Sequence, residues 1–297
     1  HTIMKVLIAI SSKQYSGPTL DVGMNIARTL KASTTIVDVG EKISEFSLKD
    51  VDMVNELMES WEIDRPGVDV LAWAYDYLKK NKFITISDES KNTPQHSLVE
   101  SSAGRVEILL KGNKIKDLNL ILRNGDIINE LRNEVQSHSY DLTIIGGSGK
   151  RNMAHDLVQY IDSSIFIVNN FNLSQKYKIL LAVDDSPGTN KAIKYGVRVA
   201  QAFNNEVKIL TVSKSKDIST GSAKAISRAE VMLRRTGINF EKKIEIGDPV
   251  NTILKNAEGN RIIIMGASTQ SPLTKFFLGS KPLTVIKKCN CPILIVR

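Results

Sequence analysis

The residue pattern with the clearest chemical potential lies near the C-terminus. A strand predicted over residues 261–265 runs into Gly266, and after twelve intervening residues Gly279 and Ser280 open a predicted helix. Ligands of open parallel sheets bind at the carboxyl ends of strands, and a helix N-terminus offers a phosphate free N–H groups. Glycine lets the backbone approach a ligand closely, and Ser280 adds a hydroxyl donor. The spacing alone fits a plain strand exit and helix start equally well, so both interpretations stay open.

Two stretches of the chain resemble each other and indicate two domains of related fold. The sequence from Lys5 and the sequence from Lys178 both read as an apolar strand, a polar turn with Pro and Gly, a helix and a second strand. The sequences from Leu118 and Phe240 share a strand, a Gly-Asp turn, a helix and a strand that runs into glycine. Alternating β-rich and helical runs predict parallel sheets with right-handed crossovers.

We therefore predict an α/β protein of two tandem Rossmann-like domains, each an open parallel sheet of about five strands flanked by helices. The expected domains are residues 1–170 and 176–297, with a linker over 171–177. The first is longer, and residues 84–117 are interpreted as an insertion that carries a β-hairpin.

Several local elements follow from the same patterns. Residues 68–81 (VDVLAWAYDYLKKN) are predicted as one helix, residues 83–87 (FITIS) as an added strand and residues 111–114 as a hairpin turn. Ser186 and Pro187 suit a helix start, since Ser caps and Pro fits the first turn. The apolar positions that recur at helical spacing after it are Ala192, Ile193, Val197 and Ala200. The aromatic residues expected to pack rather than to bind are Trp73, Tyr75 and Tyr77.

Composition limits the class of protein. The chain of 297 residues is 42% hydrophobic and 24% charged, which suits globular domains. It has no apolar run of the roughly 18 residues that a membrane span needs and no signal-peptide pattern at its start. Two cysteines favour a reducing compartment, so we expect a cytoplasmic protein. The net charge of +8 is interpreted as a solvated surface, because no basic strip indicates nucleic-acid binding.

Other chemical motifs are not supported. No G-x-G-x-x-G follows a strand, and no G-x-S-x-G elbow occurs. The four histidines lack zinc-type spacing, and Cys291 is expected to pack. The sequence GGSGK at residues 146–150 lacks the first glycine and the Ser or Thr of a P-loop, although a weak anion nest remains an alternative. No nucleophile–base set is evident, so no catalytic residue is predicted.

The second half resembles the universal stress proteins. Nucleotide-binding members of that family share Gly, two residues, Gly, nine residues and Gly-Ser or Gly-Thr, followed by a helix and a strand similar to CPILIV. Here Gly266, two residues, Thr269, nine residues and Gly279-Ser280 are followed by CPILIV from Cys291. The segment Val183-Asp184-Asp185-Ser186 also resembles the family's strand-end V-D-x-S. The first half resembles the family more weakly outside its insertion.

The resemblance implies a role for each matching residue. Asp184 would lie by the adenine or ribose, and Val212 would line the adenine pocket. Gly266 would let the backbone approach the ribose and phosphates closely. The phosphates would be held by the backbone and hydroxyl groups that begin the last helix. The residues of that helix start are Gly279, Ser280 and Lys281, the last through its backbone N–H.

Thr269 departs from the family pattern, because it stands where the motif has its second glycine. A β-branched residue is strained there if the position needs a positive φ, whereas an N–H contact alone tolerates it. Ser268 and Thr269 could also donate hydroxyl hydrogen bonds. In the first half Ser11 replaces the strand-end Asp. Gly146 and Gly149 keep the first part of the motif, but the loop after them is about eight residues shorter and no Gly-Ser follows it, so that half is predicted to lack such a site.

The resemblance predicts a universal stress protein whose second domain binds ATP or another adenine nucleotide, with or without Mg²⁺. Binding is expected to order the loop from Gly266 to Gly279 and so to signal to an unknown protein partner as a stress-response sensor or regulator. The apolar last strands of the halves, residues 165–168 and 293–296, are expected to pair into an internal pseudo-dimer, and the chain to form a homodimer. The alternatives are a nucleotide-independent interaction scaffold with a decayed site and a slow ATPase or phosphotransferase; nucleic-acid binding ranks last.

Overall fold

The fold is a single β-sheet with helices on both faces. The computed structural model describes residues 3–11, 13, 16–40, 68–84, 96–102, 105–110, 118–146, 157–172, 174–267 and 280–297. Within these ranges the strands are β1 (Lys5–Ile10), β2 (Ser33–Gly40), β3 (His96–Ser102), β4 (Arg105–Leu110), β5 (Leu118–Asn124), β6 (Leu142–Gly146), β7 (Ser164–Val168), β8 (Lys178–Ala182), β9 (Val207–Ser213), β10 (Phe240–Ile246), β11 (Arg261–Gly266) and β12 (Ile293–Val296). The helices are α1 (Ser16–Leu30), α2 (Val68–Lys80), α3 (Ile127–His138), α4 (Thr189–Phe203), α5 (Thr220–Arg235), α6 (Pro249–Asn256) and α7 (Ser280–Lys288).

The strand order has the same pattern in both halves of the chain. The whole sheet runs β10-β9-β8-β11-β12-β7-β6-β1-β2-β5-β4-β3. The parallel strands β12-β11-β8-β9-β10 of the second half therefore correspond to β7-β6-β1-β2-β5 of the first. Where the halves meet, β12 pairs antiparallel with β7, and Leu294 lies opposite Phe166. This contact confirms the predicted pairing of the two last strands within the chain.

Both faces of the sheet are covered by apolar packing. Alternate side chains of the central strands enter one of two buried clusters; Ile8 and Ile264 belong to one, and Leu7 and Ile263 to the other. Helices α1, α2, α4 and α5 contribute to the first cluster, and α3, α6 and α7 to the second. The purely apolar strands are accordingly buried on both sides, as a parallel sheet between helices requires.

The insertion extends the sheet beyond β5. Strands β3 and β4 form an antiparallel hairpin, and β4 also pairs antiparallel with β5, with Val106 opposite Leu122. The strand β3 was not expected from its sequence, HSLVESS, since Val99 is its one strongly β-prone residue. In the predicted strand FITIS, Phe83 and Ile84 belong to no strand, whereas residues 85–87 and the predicted turn at 111–114 lie outside the described residues.

Two other local predictions have different outcomes. The helix over residues 68–81 is confirmed as α2, where Tyr75 is buried and Trp73 and Tyr77 pack against the same cluster. The predicted helix start at Ser186-Pro187 is wrong, because α4 begins at Thr189 with Gly188 as its N-cap. The carboxylate of Asp184 holds the intervening residues in a turn, since it accepts hydrogen bonds from the Ser186 N–H and the Thr189 hydroxyl.

Candidate functional site

Three adjacent strands bring predicted site residues to one edge of the sheet. Asp184 follows β8, Val212 is the penultimate residue of β9, and Gly266 ends β11. Since β9, β8 and β11 are neighbours and parallel, their carboxyl ends lie side by side. We call this region of the second half the carboxyl edge. Val212 is half-buried there, and Gly266 is buried.

The carboxylate of Asp184 is held from three directions. Its Oδ1 accepts from the Ser186 N–H at 2.9 Å and from the Thr189 hydroxyl at 2.8 Å. Its Oδ2 accepts from the Lys281 ammonium at 2.6 Å. The Thr189 hydroxyl in turn accepts from the Asp184 N–H at 3.2 Å, so the strand end and the start of α4 form one small network.

This network keeps Asp184 ionised. Burial alone would raise the pKa of the carboxyl group. The Lys281 ammonium and the hydrogen bonds from Ser186 outweigh it and lower the pKa of Asp184 to about 2. The edge therefore carries a permanent carboxylate at neutral pH, with a lysine ammonium directly against it.

The structure gives a packing reason for the glycine at 266. A Cβ there would lie 2.6 Å from the carbonyl carbon and 2.8 Å from the carbonyl oxygen of Gly188. A Cβ on Gly188 would in turn lie 2.8 Å from the backbone nitrogen of Ala267. These two glycines let the turn before α4 lie directly on the end of β11.

The last helix begins where the sequence predicts. Ser280 is the first residue of α7, and Lys281 follows with a side chain that is 27% exposed. The backbone N–H groups in the first turn of α7 are donors that suit an anion. The sequence predicted a role for the backbone N–H of Lys281. In the structure it is the side-chain ammonium of Lys281 that contacts Asp184. Ser268, Thr269 and Gly279 lie outside the described residues, so the structure does not test their predicted roles.

The second carboxylate of the V-D-D-S segment points elsewhere. Asp185 Oδ2 accepts from the hydroxyl of Ser219, which also caps the N-terminus of α5. The two adjacent aspartates thus serve different contacts. No group of three His, Cys, Asp or Glu side chains suited to a metal ion occurs among the residues that the structure describes.

The corresponding edge of the first half lacks a carboxylate at the strand end. Ser11 follows β1, and its N–H lies 3.4 Å from the Ser16 hydroxyl, the counterpart of the bond between Asp184 and Thr189. Gly146 ends β6 and is exposed, and a Cβ there would approach the Thr19 hydroxyl at 3.0 Å. The remaining residues of GGSGK, 147–150, lie outside the described residues.

Two cavities lie away from the carboxyl edge. They have volumes of about 390 and 380 Å³, and both are lined by Gln175 and Tyr177 of the segment that joins the halves. The lining residues Tyr177, Asn260 and Pro292 directly precede β8, β11 and β12, so these cavities lie at the amino ends of the strands of the second half. Neither of these two is lined by a predicted site residue.

Comparison with known proteins assigns the second half to a family. The sequence model of the universal stress protein family matches residues 177–297. Residues 177–297 therefore form a domain of the universal stress protein family. One universal stress protein of Methanocaldococcus jannaschii is 28% identical over 159 residues, spanning 48% of this chain and 92% of that protein. Another from the same organism is 32% identical over 123 residues, spanning 41% of this chain and 65% of that protein.

A solved structure extends the likeness of fold to the whole chain. A universal stress protein from Archaeoglobus fulgidus superposes with a TM-score of 0.57 at 16% identity, covering 99% of this chain and 96% of that one. This likeness supports the universal stress protein fold and no finer property. No helix in the described ranges is long and apolar enough to cross a membrane.

Sequence reasoning missed two features of the carboxyl edge in this universal stress protein. The first is the contact between Gly188 and Gly266. Pro187-Gly188 indicates a turn, but nothing local in the sequence indicates which residues that turn contacts. The pair of Asp184 and Lys281 joins residues 97 positions apart, so only the fold brings them together.

Proposed function

We propose that the second half of this universal stress protein binds an adenine nucleotide at the carboxyl edge and acts as a stress-response sensor or regulator. The observation that carries the proposal is the convergence of Asp184, Val212 and Gly266 with the start of α7. These are a carboxylate for a ribose or base, an apolar side chain for a base, and helix N–H groups for phosphate.

The proposed ligand is ATP, ADP or AMP. Ser268, Thr269, Gly279 and Ser280 complete the site on the strength of the motif in the sequence. Mg²⁺, if it takes part, would arrive with ATP, because Asp185 is engaged with Ser219 and both oxygens of Asp184 have protein partners.

The division of labour proposed for the chain follows the two halves. Residues 176–297 would be the nucleotide-binding domain, and residues 1–170 a degenerate domain specialised for contacts, with the insertion at about 84–117 as the partner surface. The chain would further associate into a homodimer. Light scattering of the purified protein gives the oligomeric state directly.

One observation favours a second candidate, a nucleotide-independent scaffold. Both oxygens of Asp184 already have protein partners, so the carboxylate is satisfied without a ligand. A decayed site would leave this network as a structural contact between β8, α4 and α7.

The experiment that separates these candidates begins with protein stripped of small molecules. Its melting temperature is followed against ATP, ADP, AMP and GTP, and molecules released by denaturing unstripped protein are identified by mass spectrometry. A ligand at 100 times its Kd stabilises the folded state by about 2.7 kcal/mol, which shifts the melting temperature measurably. We expect a shift with adenine nucleotides, and no shift and no released nucleotide at millimolar concentration would support the scaffold.

A pair of matched variants locates the site. Val39 occupies in β2 the position that Val212 occupies in β9, as the strand registers show. We expect Val212→Phe to abolish the nucleotide-dependent shift, because the larger ring fills the space proposed for the base. Val39→Phe should preserve the shift. The reverse pattern would move the site to the first half.

A further inference from the structure

The ion pair between Asp184 and Lys281 spans the proposed site. It joins the strand end assigned to the adenosine with the helix assigned to the phosphates, and its Nζ–Oδ2 distance is 2.6 Å. The side chains of Lys281 and Asp184 are 27% and 29% exposed, so solvent and a ligand can reach both. The contact therefore lies on the path a nucleotide would occupy.

The two partners differ in how firmly the protein holds them. Asp184 is fixed by Ser186 and Thr189 through its other oxygen, and its position does not depend on the lysine. Lys281 has a flexible four-carbon stem and three N–H donors, of which Asp184 engages one. The ammonium is thus the member of the pair that can change partner.

We infer that Lys281 discriminates nucleotides by the charge of their phosphates. Its ammonium leaves Asp184 Oδ2 for the phosphate chain of a nucleoside di- or triphosphate at the start of α7, and this frees Asp184 to accept a ribose hydroxyl. Adenosine carries no phosphate to draw the ammonium away, and AMP carries less charge than ATP. The inference rests on the proposed function, since it names the residue that selects the ligand within that site.

The charges at the carboxyl edge favour both the approach of a polyphosphate and the transfer of the Lys281 ammonium to it. With Lys281 in place, the half-buried carboxylate is neutralised and does not repel an approaching polyphosphate. A polyphosphate then offers the ammonium a more highly charged partner than one carboxylate. The helix N–H groups reinforce the attraction at the same place.

The test is calorimetric titration of the full chain with adenosine, AMP and ATP. Lys281→Met removes the ammonium and keeps the apolar stem, while Lys287→Met removes an exposed lysine from the last turn of the same helix. We expect Lys281→Met to weaken ATP about ten- to a hundredfold and adenosine less than about threefold. Lys287→Met should bind all three ligands as the unmodified chain does. Melting temperatures within a few degrees of the parent's confirm that the variants fold.

A double variant separates a direct contact with phosphate from an effect through Asp184. If the ammonium binds phosphate, Asp184→Asn combined with Lys281→Met still binds ATP weakly. Restored ATP affinity in the double variant, or equal losses for adenosine and ATP in Lys281→Met, would overturn the inference while leaving nucleotide binding intact. A parent chain that binds none of the three ligands would reject the proposed function itself, and the inference with it.

Discussion

The two halves share a strand order but differ in the ionic contacts at the carboxyl ends of their strands. In the second half, the end of β8 carries Asp184, which is held by α4 and by Lys281 of α7. In the first half, the same position is Ser11, and its neighbour Gly146 is exposed to solvent. The second half thus has one ionic contact where we propose that a ligand binds, besides others such as those of Glu230 with Arg234 and Lys242.

The first half has a buried cluster of ionic contacts towards its outer edge. Glu134 of α3 is fully buried and accepts from Arg105 at 2.7 Å and from Arg123 at 2.8 Å, with His138 and Tyr140 completing its partners. Arg105 belongs to the hairpin, so this cluster ties the insertion to the domain. Among the residues that the structure describes, no strand pairs with the outer side of β10, the equivalent outer strand of the second half, and Ile246 there is 58% exposed. The comparison shows one scaffold whose halves differ in their polar contacts, with Glu134 in a fully buried cluster of the first half and Asp184 in a partly exposed ion pair of the second.

The largest expected loss of stability comes from breaking the buried cluster around Glu134 in the first half. Glu134→Ala leaves Arg105 and Arg123 buried without their shared carboxylate, and we expect a loss of about 3–5 kcal/mol in the free energy of unfolding. Glu130 binds the same Arg123 from the same helix but is partly exposed. Glu130→Ala should therefore cost about 1 kcal/mol or less. Equal losses in urea denaturation would mean that burial does not distinguish the two carboxylates.

The next effect tests the glycine contact of the second half. Gly266→Ala places a Cβ against the backbone of Gly188, which cannot move aside as a side chain does. We expect the free energy of unfolding to fall by about 1–3 kcal/mol, with a value near the upper end of that range. Among the residues that the structure describes, Gly146→Ala meets the hydroxyl of Thr19 and no other close atom, and it should cost less. Urea denaturation of both variants measures the difference, and a larger loss at 146 would reverse this part of the comparison.

A pH titration sharpens the contrast between Asp184 and Ser11. The pKa of Asp184 is lowered to about 2 in the folded chain, below the roughly 3.9 of an unfolded aspartate. Its contribution of about 2 kcal/mol is therefore present above pH 4 and lost as the pH falls towards 2. We expect the stability difference between the parent and Asp184→Asn to shrink over that window. Ser11→Asn should show no such change, and a pH-independent difference for Asp184→Asn would contradict the ion pair.

The smallest effect concerns a feature that both halves keep. Asp126 caps α3 by accepting from the Asn129 N–H, and Asp248 caps α6 by accepting from the Asn251 N–H. We expect Asp126→Ala and Asp248→Ala each to cost about 1 kcal/mol. Thermal unfolding compares the two directly. A cap that matters in one half alone would show that the resemblance of the halves does not extend to their energetics.

Much of the fold was predictable because it follows from apolar runs and turn residues. The strand at Arg261–Gly266 and the helix from Ser280 rest on such local signals. The pairing of the last strands was predicted from the resemblance to the family. The hairpin strand β3 was missed because its residues have little β-propensity of their own, and it is defined by pairing with β4.

The candidate site was predictable by residue type but not by contact. The sequence, through its resemblance to the family, indicated that Asp184, Val212 and Gly266 lie at strand ends, but not that those strands are neighbours. It did not indicate the partner of the Lys281 ammonium, because a flexible side chain is directed by groups distant in sequence. Nor did it indicate that Gly188 lies on Gly266, because this requires the packing of a turn against a strand end.

The most direct test of the account is the stoichiometry of ATP binding to the stripped full chain, measured by calorimetry. The account predicts one ATP per chain, lost in Gly279→Leu, where a bulky residue replaces the motif glycine before α7. Two ATP molecules per chain would show that the first half also binds nucleotide, and none at millimolar ATP would show that the carboxyl edge is not a nucleotide site.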